Sequence, residues 1–65
     1  MTVHDRLNVA LANYKSGDYK EADRILRKLY AQWKNDVVFF CTMDELKMFI
    51  LLDQTRRKIN VSHET

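Results

Sequence analysis

The stretch from Tyr14 to Trp33, YKSGDYKEADRILRKLYAQW, decides how this chain folds. It opens with a turn at Gly17, the only glycine in a chain that has no proline. After the turn, apolar residues recur at intervals of three and four, the spacing of one face of an α-helix. They are Tyr19, Ala22, Ile25, Leu26, Leu29, Tyr30 and Trp33. The stretch therefore predicts a glycine turn followed by an amphipathic helix over about residues 18–34, capped by Asp18.

The residues before this stretch predict a first helix over about 3–15. Thr2 stands at the expected N-cap, and Asp5 follows at the spacing of a capping box. Apolar residues then share one helical face, at Val3, Leu7, Ala10, Leu11 and Tyr14. Gly17 is a natural left-handed stop for this helix. The two predicted helices therefore meet at a short turn.

A third helix is predicted over about residues 43–57. Thr42 and Glu45 have the spacing of another capping box, so the helix is expected to begin near Met43. Its apolar positions are Met43, Leu46, Phe49 and Ile50, widened by Leu51 and Leu52. Three helices in a chain so poor in helix breakers predict an all-α fold.

The sequence does not decide the conformation of two short segments. Residues 37–41, VVFFC, have high strand propensity but are too few to separate a strand from an extended connector or a first helical turn. Residues 58–65 are expected to form a tail. Ile59 and Val61 alternate with polar residues there, so a short strand at 59–62 is an open alternative.

The chain has 65 residues, which predicts one domain over 1–65. A domain of this size buries only about 60% of its unfolded surface, so its core is marginal. One cysteine and two histidines provide neither an internal disulfide nor a structural zinc site. Close helix packing or a second chain must then stabilise the fold, and a homo-oligomer, with a dimer favoured, is expected.

Residues 14–22, YKSGDYKEA, resemble the turn of a tetratricopeptide repeat. In that family a tyrosine near the end of the first helix precedes a Gly-Asp-Tyr turn, and a small alanine lets the two helices approach closely. Ala10 and Ala22 stand where the family has small residues. The resemblance covers about residues 3–34 and implies an antiparallel helical hairpin.

The sequence indicates a protein without enzymatic activity. A single glycine excludes a glycine-rich phosphate loop. Cys41 lies far in sequence from His4 and His63, and it is expected to be a small buried residue. Asp44 and Glu45 are adjacent, so on a helix they diverge and do not share a site. No catalytic residue, metal ligand or cofactor is predicted.

The segment 37–52 holds more apolar residues than one helix packed on a hairpin can bury. A second face of the third helix is then expected to stay exposed and to bind another protein. The predicted partner-binding residues are Phe39, Phe40, Met48, Leu51 and Leu52. The alternative is that the segment is entirely core. The favoured function is a protein–protein interaction module that acts as an adaptor or as an inhibitor of a regulatory protein.

The basic face of the second helix offers an alternative function. Lys20, Arg24, Arg27 and Lys28 are positioned to contact phosphates, as in a small nucleic-acid-binding transcriptional regulator. A net charge of +2 is low for that class, and a solvated face with charge pairs is the favoured interpretation. No signal peptide or membrane span is visible in the sequence, so a cytoplasmic protein that does not bind membranes is expected.

Overall fold

A computed structural model of the chain describes residues 2–36 and 40–64, with the backbone alone for residues 62–64. It contains three helices, α1 (Val3–Lys15), α2 (Tyr19–Asn35) and α3 (Thr42–Glu64). No strand occurs in the described ranges. The all-α class predicted from the sequence is therefore confirmed, and the first two helices lie within one residue of their predicted bounds.

The predicted capping box at the start of α1 is present. The Thr2 hydroxyl accepts a hydrogen bond from the Asp5 backbone N–H at 3.2 Å, and the Asp5 carboxylate accepts one from the Thr2 N–H at 3.4 Å. These two bonds satisfy backbone donors that the first turn of a helix leaves without partners. The amino end of α1 is thus fixed by local chemistry alone.

The turn between α1 and α2 depends on Gly17, whose φ of +90° lies in the left-handed region. This conformation lets the Gly17 N–H donate to the carbonyl of Tyr14 at 3.1 Å and the Asp18 N–H donate to that of Asn13 at 2.9 Å. Asp18 occupies the N-cap position of α2, but its side chain makes no capping hydrogen bond. The predicted capping role of Asp18 is therefore wrong, although the turn itself is where the sequence places it.

Small residues let α1 and α2 pack closely. Ala10 and Ala22 are fully buried, and the rings of Tyr14 and Tyr19 meet edge to face beside the turn, with centroids 5.3 Å apart. This is the hairpin that the sequence predicts.

The third helix runs antiparallel to α2 and parallel to α1. Trp33, near the end of α2, bonds Glu45 in the first turn of α3, whereas His4 at the start of α1 lies beside Asp44. The three helices therefore form an up-down-up bundle. Its core residues are Leu7, Ala10, Leu26, Leu29, Phe40, Met48, Leu51 and Leu52.

The carboxyl-terminal part of the chain differs from the prediction. α3 begins at Thr42 and continues to Glu64, so the expected end near Arg57, the tail at 58–65 and the strand at 59–62 are wrong for residues 58–64. Glycine and proline are absent from this segment, and half-buried Ile59 extends the inward side of α3 by another turn. Packing of Ile59 against the bundle therefore favours continuation of the helix beyond Arg57.

The sequence leaves the conformation of residues 37–41 open, and the structure describes two of these residues. Residues 37–39 lie outside the described residues. Phe40 and Cys41 belong to neither a helix nor a strand. Phe40 is buried in the core, whereas the Cys41 thiol is exposed, so the expectation of a buried cysteine is wrong.

We expect Gly17→Ala to lower the free energy of unfolding by about 1 kcal/mol, because a Cβ disfavours the left-handed backbone. A Cβ at this position meets no atom within 4 Å, so steric conflict with neighbours contributes nothing. Gly17→Asn is the matched control, since asparagine tolerates this region better, and it should lose less. Urea unfolding of the two variants measures the difference. Equal losses would show that the backbone conformation at residue 17 is not the cause.

Candidate protein-docking surface on the third helix

One side of α3 packs into the bundle. At about 100° per residue, positions separated by three, four, seven or eleven residues share a side of a helix. Met48 and Thr55 on this side are fully buried, and Leu51 and Leu52 are nearly so. Asp44 also belongs to it and is only 9% exposed. The inward side of α3 is thus mainly apolar, with Asp44 in the first turn and Thr55 between Leu52 and Ile59.

The opposite side of α3 is also apolar between Met43 and Ile50, and it faces solvent. The exposed fraction is 63% for Met43, 52% for Leu46, 40% for Phe49 and 54% for Ile50. We call these four residues the outer face of α3. Met43, Leu46 and Ile50 are spaced by three and four residues, so they form one stripe, and Phe49 flanks it on the side of α2.

The outer face is not the surface that the sequence predicted. Phe40, Met48, Leu51 and Leu52 were expected to be exposed, and that expectation is wrong, because all four belong to the buried core. Phe39 lies outside the described residues. The physical reason is that α3 is turned about its own axis relative to the prediction, which placed the stripe beginning at Met43 inside.

A hydrogen bond between α2 and α3 stabilises this rotation. The indole Nε1–H of Trp33 donates to the carboxylate Oε1 of Glu45 at 2.7 Å. The acceptor is a carboxylate, and a hydrogen bond to a charged acceptor is stronger than one between neutral groups. Both side chains are also half-buried, which limits competition from water. Glu45 therefore bonds across the interface between α2 and α3. The sequence predicts Thr42 as the N-cap that pairs with Glu45, and this is wrong, because α3 begins at Thr42 itself.

Three aromatic rings extend this contact. The Phe49 ring meets Trp33 edge to face, with centroids 5.1 Å apart, and meets Tyr30 at 6.0 Å. Tyr30 and Trp33 stack with centroids 5.8 Å apart, and the Lys34 ammonium lies 5.6 Å from the Tyr30 centroid. Aromatic pairs in these geometries stabilise a fold beyond the area they bury. The cluster holds Phe49 at the edge of the outer face, and the spacing of apolar residues in the sequence does not predict it.

An apolar groove continues the outer face towards α1. It has a volume of about 250 Å³ and lies between the first and third helices. Ile50 forms one wall, and Leu7 and Leu11 of α1 form the other. Lys47 and Gln54 line it as well, which places a positive charge at its edge. A partner that covers Ile50 therefore has an apolar depression beside it.

The four basic residues predicted on α2 are exposed, but two of them are paired. Arg24 forms a bidentate ion pair with Glu21, and the hydrogen bond from Arg24 lowers the pKa of the Glu21 carboxyl. Arg27 Nε lies 2.9 Å from the carboxylate of Asp23. Lys20 and Lys28 complete the set. Acidic partners therefore offset part of the positive charge of this face.

The described residues contain no cluster of three or more histidine, cysteine or acidic side chains arranged to hold a metal ion. Asp44 and Glu45 point to different neighbours, the former to His4 at 3.5 Å and the latter to Trp33. Within the same part of the chain, no helix is long and apolar enough to cross a membrane.

Comparison of the chain with protein-family models, with curated proteins and with solved structures returned no significant match. The likeness of residues 14–22 to a tetratricopeptide turn stays a resemblance of sequence.

A double-mutant cycle on Trp33→Phe and Glu45→Ala should give a coupling energy of about 1 kcal/mol or more, because the hydrogen bond is charged and half-buried. The same cycle on Arg24→Ala and Glu21→Ala is the control and should give a smaller coupling energy, because that pair is exposed. Urea unfolding measures both. Equal coupling energies would contradict the role assigned to Trp33 and Glu45.

Proposed function

We propose that this chain is a small non-enzymatic protein–protein interaction module that binds its partner through the outer face of α3. The observation that carries the proposal is the exposure of Met43, Leu46, Phe49 and Ile50 on one helix. Contiguous apolar patches on soluble proteins mark interaction sites when they reach a few hundred Å². Methionine and aromatic residues are also enriched at interfaces relative to other surfaces.

The length of α3 and the spacing of its exposed apolar residues favour docking of this helix in a groove of the partner protein. The helix has 23 residues, which corresponds to a length of about 35 Å. Side chains at positions 43, 46 and 50 have the spacing by which an amphipathic helix enters an apolar groove of another protein. We propose that the module acts in this way as an adaptor or as an inhibitor of a regulatory protein, because covering a groove blocks other ligands of the same groove.

A nucleic-acid-binding regulator is the second function considered for this chain, and it would use the basic face of α2. The bidentate ion pair of Arg24 with Glu21 argues against it, because a guanidinium that already holds an acidic partner through two hydrogen bonds contributes less to phosphate binding. Charge reversal at Arg24 and Lys28 separates the functions. It should leave protein binding nearly unchanged, whereas it would abolish binding to nucleic acid and its steep dependence on salt.

The proposal is tested by Leu46→Asp and Ile50→Asp, each of which places a charge in the outer face without entering the core. The purified chain is cross-linked in an extract of its own cells, and the retained protein is identified by mass spectrometry and then purified. Binding to that purified protein should weaken by about tenfold or more in both variants, since central interface residues contribute about 2 kcal/mol or more each.

Val9→Asp is the matched control. Val9 is 38% exposed on α1 and lies outside the outer face, so this variant should bind the partner as the unchanged chain does. Circular dichroism confirms that all variants fold. Equal weakening by Val9→Asp, or unchanged binding by Leu46→Asp, would contradict the proposal. Light scattering of the same samples shows whether a second copy of the chain covers the face, as the expected dimer requires.

A further inference from the structure

A second groove lies between α2 and α3, beside the aromatic cluster. Its volume is about 370 Å³, and it is lined by Arg27, Tyr30, Phe49, Leu52, Asp53 and Arg56. A smaller depression of about 240 Å³ continues it towards Ile59 and Asn60 and shares the same two arginines. The groove therefore has an aromatic end, a polar end and a guanidinium group from each helix between them.

The two arginines retain most of their hydrogen-bond donors. Arg27 uses Nε for Asp23, which leaves the terminal amino groups of its guanidinium for a ligand. Arg56 takes part in none of the ion pairs found among the described residues. Guanidinium groups bind carboxylates through two parallel hydrogen bonds, so the middle of the groove suits an anionic group.

The acidic side chains near the groove already have basic partners. The Asp53 carboxylate lies 3.2 Å from Arg57 Nε, and Asp23 is nearly buried against Arg27. Their negative charge is thus offset within α3 and α2 respectively. The aromatic end, with Tyr30 and Phe49, adds an apolar surface beside the arginines.

We propose that this groove binds a segment of the partner protein in which an acidic side chain stands next to an aromatic or branched apolar residue. The carboxylate bonds to Arg56 and Arg27, and the apolar residue packs on Tyr30 and Phe49. The inference rests on the proposed function and deepens it, because Phe49 belongs to both the outer face and the groove. One partner can therefore cover both surfaces continuously.

The direct test is a titration of the full chain with a short blocked peptide of sequence Glu-Glu-Leu-Phe, followed by amide chemical shifts. We expect the largest shifts at Arg27, Leu52 and Arg56. The counterpart Gln-Gln-Leu-Phe peptide should bind at least about tenfold more weakly, because a hydrogen bond to a charged group is worth about 1.5–3 kcal/mol. Inorganic phosphate at matched ionic strength separates recognition of the peptide from recognition of any anion.

Arg56→Gln and Lys58→Gln form a matched pair of variants. Each removes one positive charge from an exposed position of α3, but only Arg56 lines the groove. Arg56→Gln should weaken binding of the glutamate peptide by about tenfold or more, and Lys58→Gln by less than about twofold. Both residues are exposed, so neither substitution threatens the fold.

Three results would overturn the inference. They are equal binding of the glutamine peptide, an equal effect of Arg56→Gln and Lys58→Gln, or shifts with phosphate that match those with the peptide. None of these results changes the expected effect of Leu46→Asp on partner binding. The proposed function of the outer face can therefore hold even if the groove does not bind an acidic segment. Conversely, peptide binding that persists in Leu46→Asp while the partner no longer binds would support the groove and the outer face as separate contacts.

Discussion

The contact between Trp33 and Glu45 is the interaction on which the rest of the structure depends. Because α3 carries apolar side chains on two opposite sides, burial alone does not determine which side faces the hairpin. The indole hydrogen bond and the adjoining Phe49 ring stabilise one of the two orientations. They place Met48 in the core and leave Leu46 in solvent. Both proposed binding surfaces follow from this one rotation.

The sequence predicts the first half of the fold well and the second half less well, for a physical reason. α1 and α2 each have a single apolar stripe, and Gly17 ends the first helix by its backbone geometry, so local signals agree there. In α3 the inward side includes Asp44 and Thr55, which a search for apolar residues passes over. The outer face was therefore predicted as core, and the core as the binding surface.

The proposed binding surfaces meet at Phe49. This residue is anchored by two aromatic neighbours on α2, yet 40% of it stays exposed. An anchored aromatic side chain loses little conformational entropy when a partner covers it, which favours binding. The apolar stripe lies on one side of Phe49 and the two groove arginines on the other. A partner that offers apolar residues and an acidic side chain fits both.

The most direct test of the account measures which side of α3 is accessible to solvent. In a Cys41→Ser background, single cysteines replace Leu46 and Met48, and the rate of thiol labelling is followed under native conditions. We predict that the cysteine at 46 reacts nearly as fast as in the unfolded chain, whereas the one at 48 is slowed by about a hundredfold or more, because it must wait for an opening of the bundle. Equal rates, or faster labelling at 48, would contradict the rotation of α3 on which both surfaces rest.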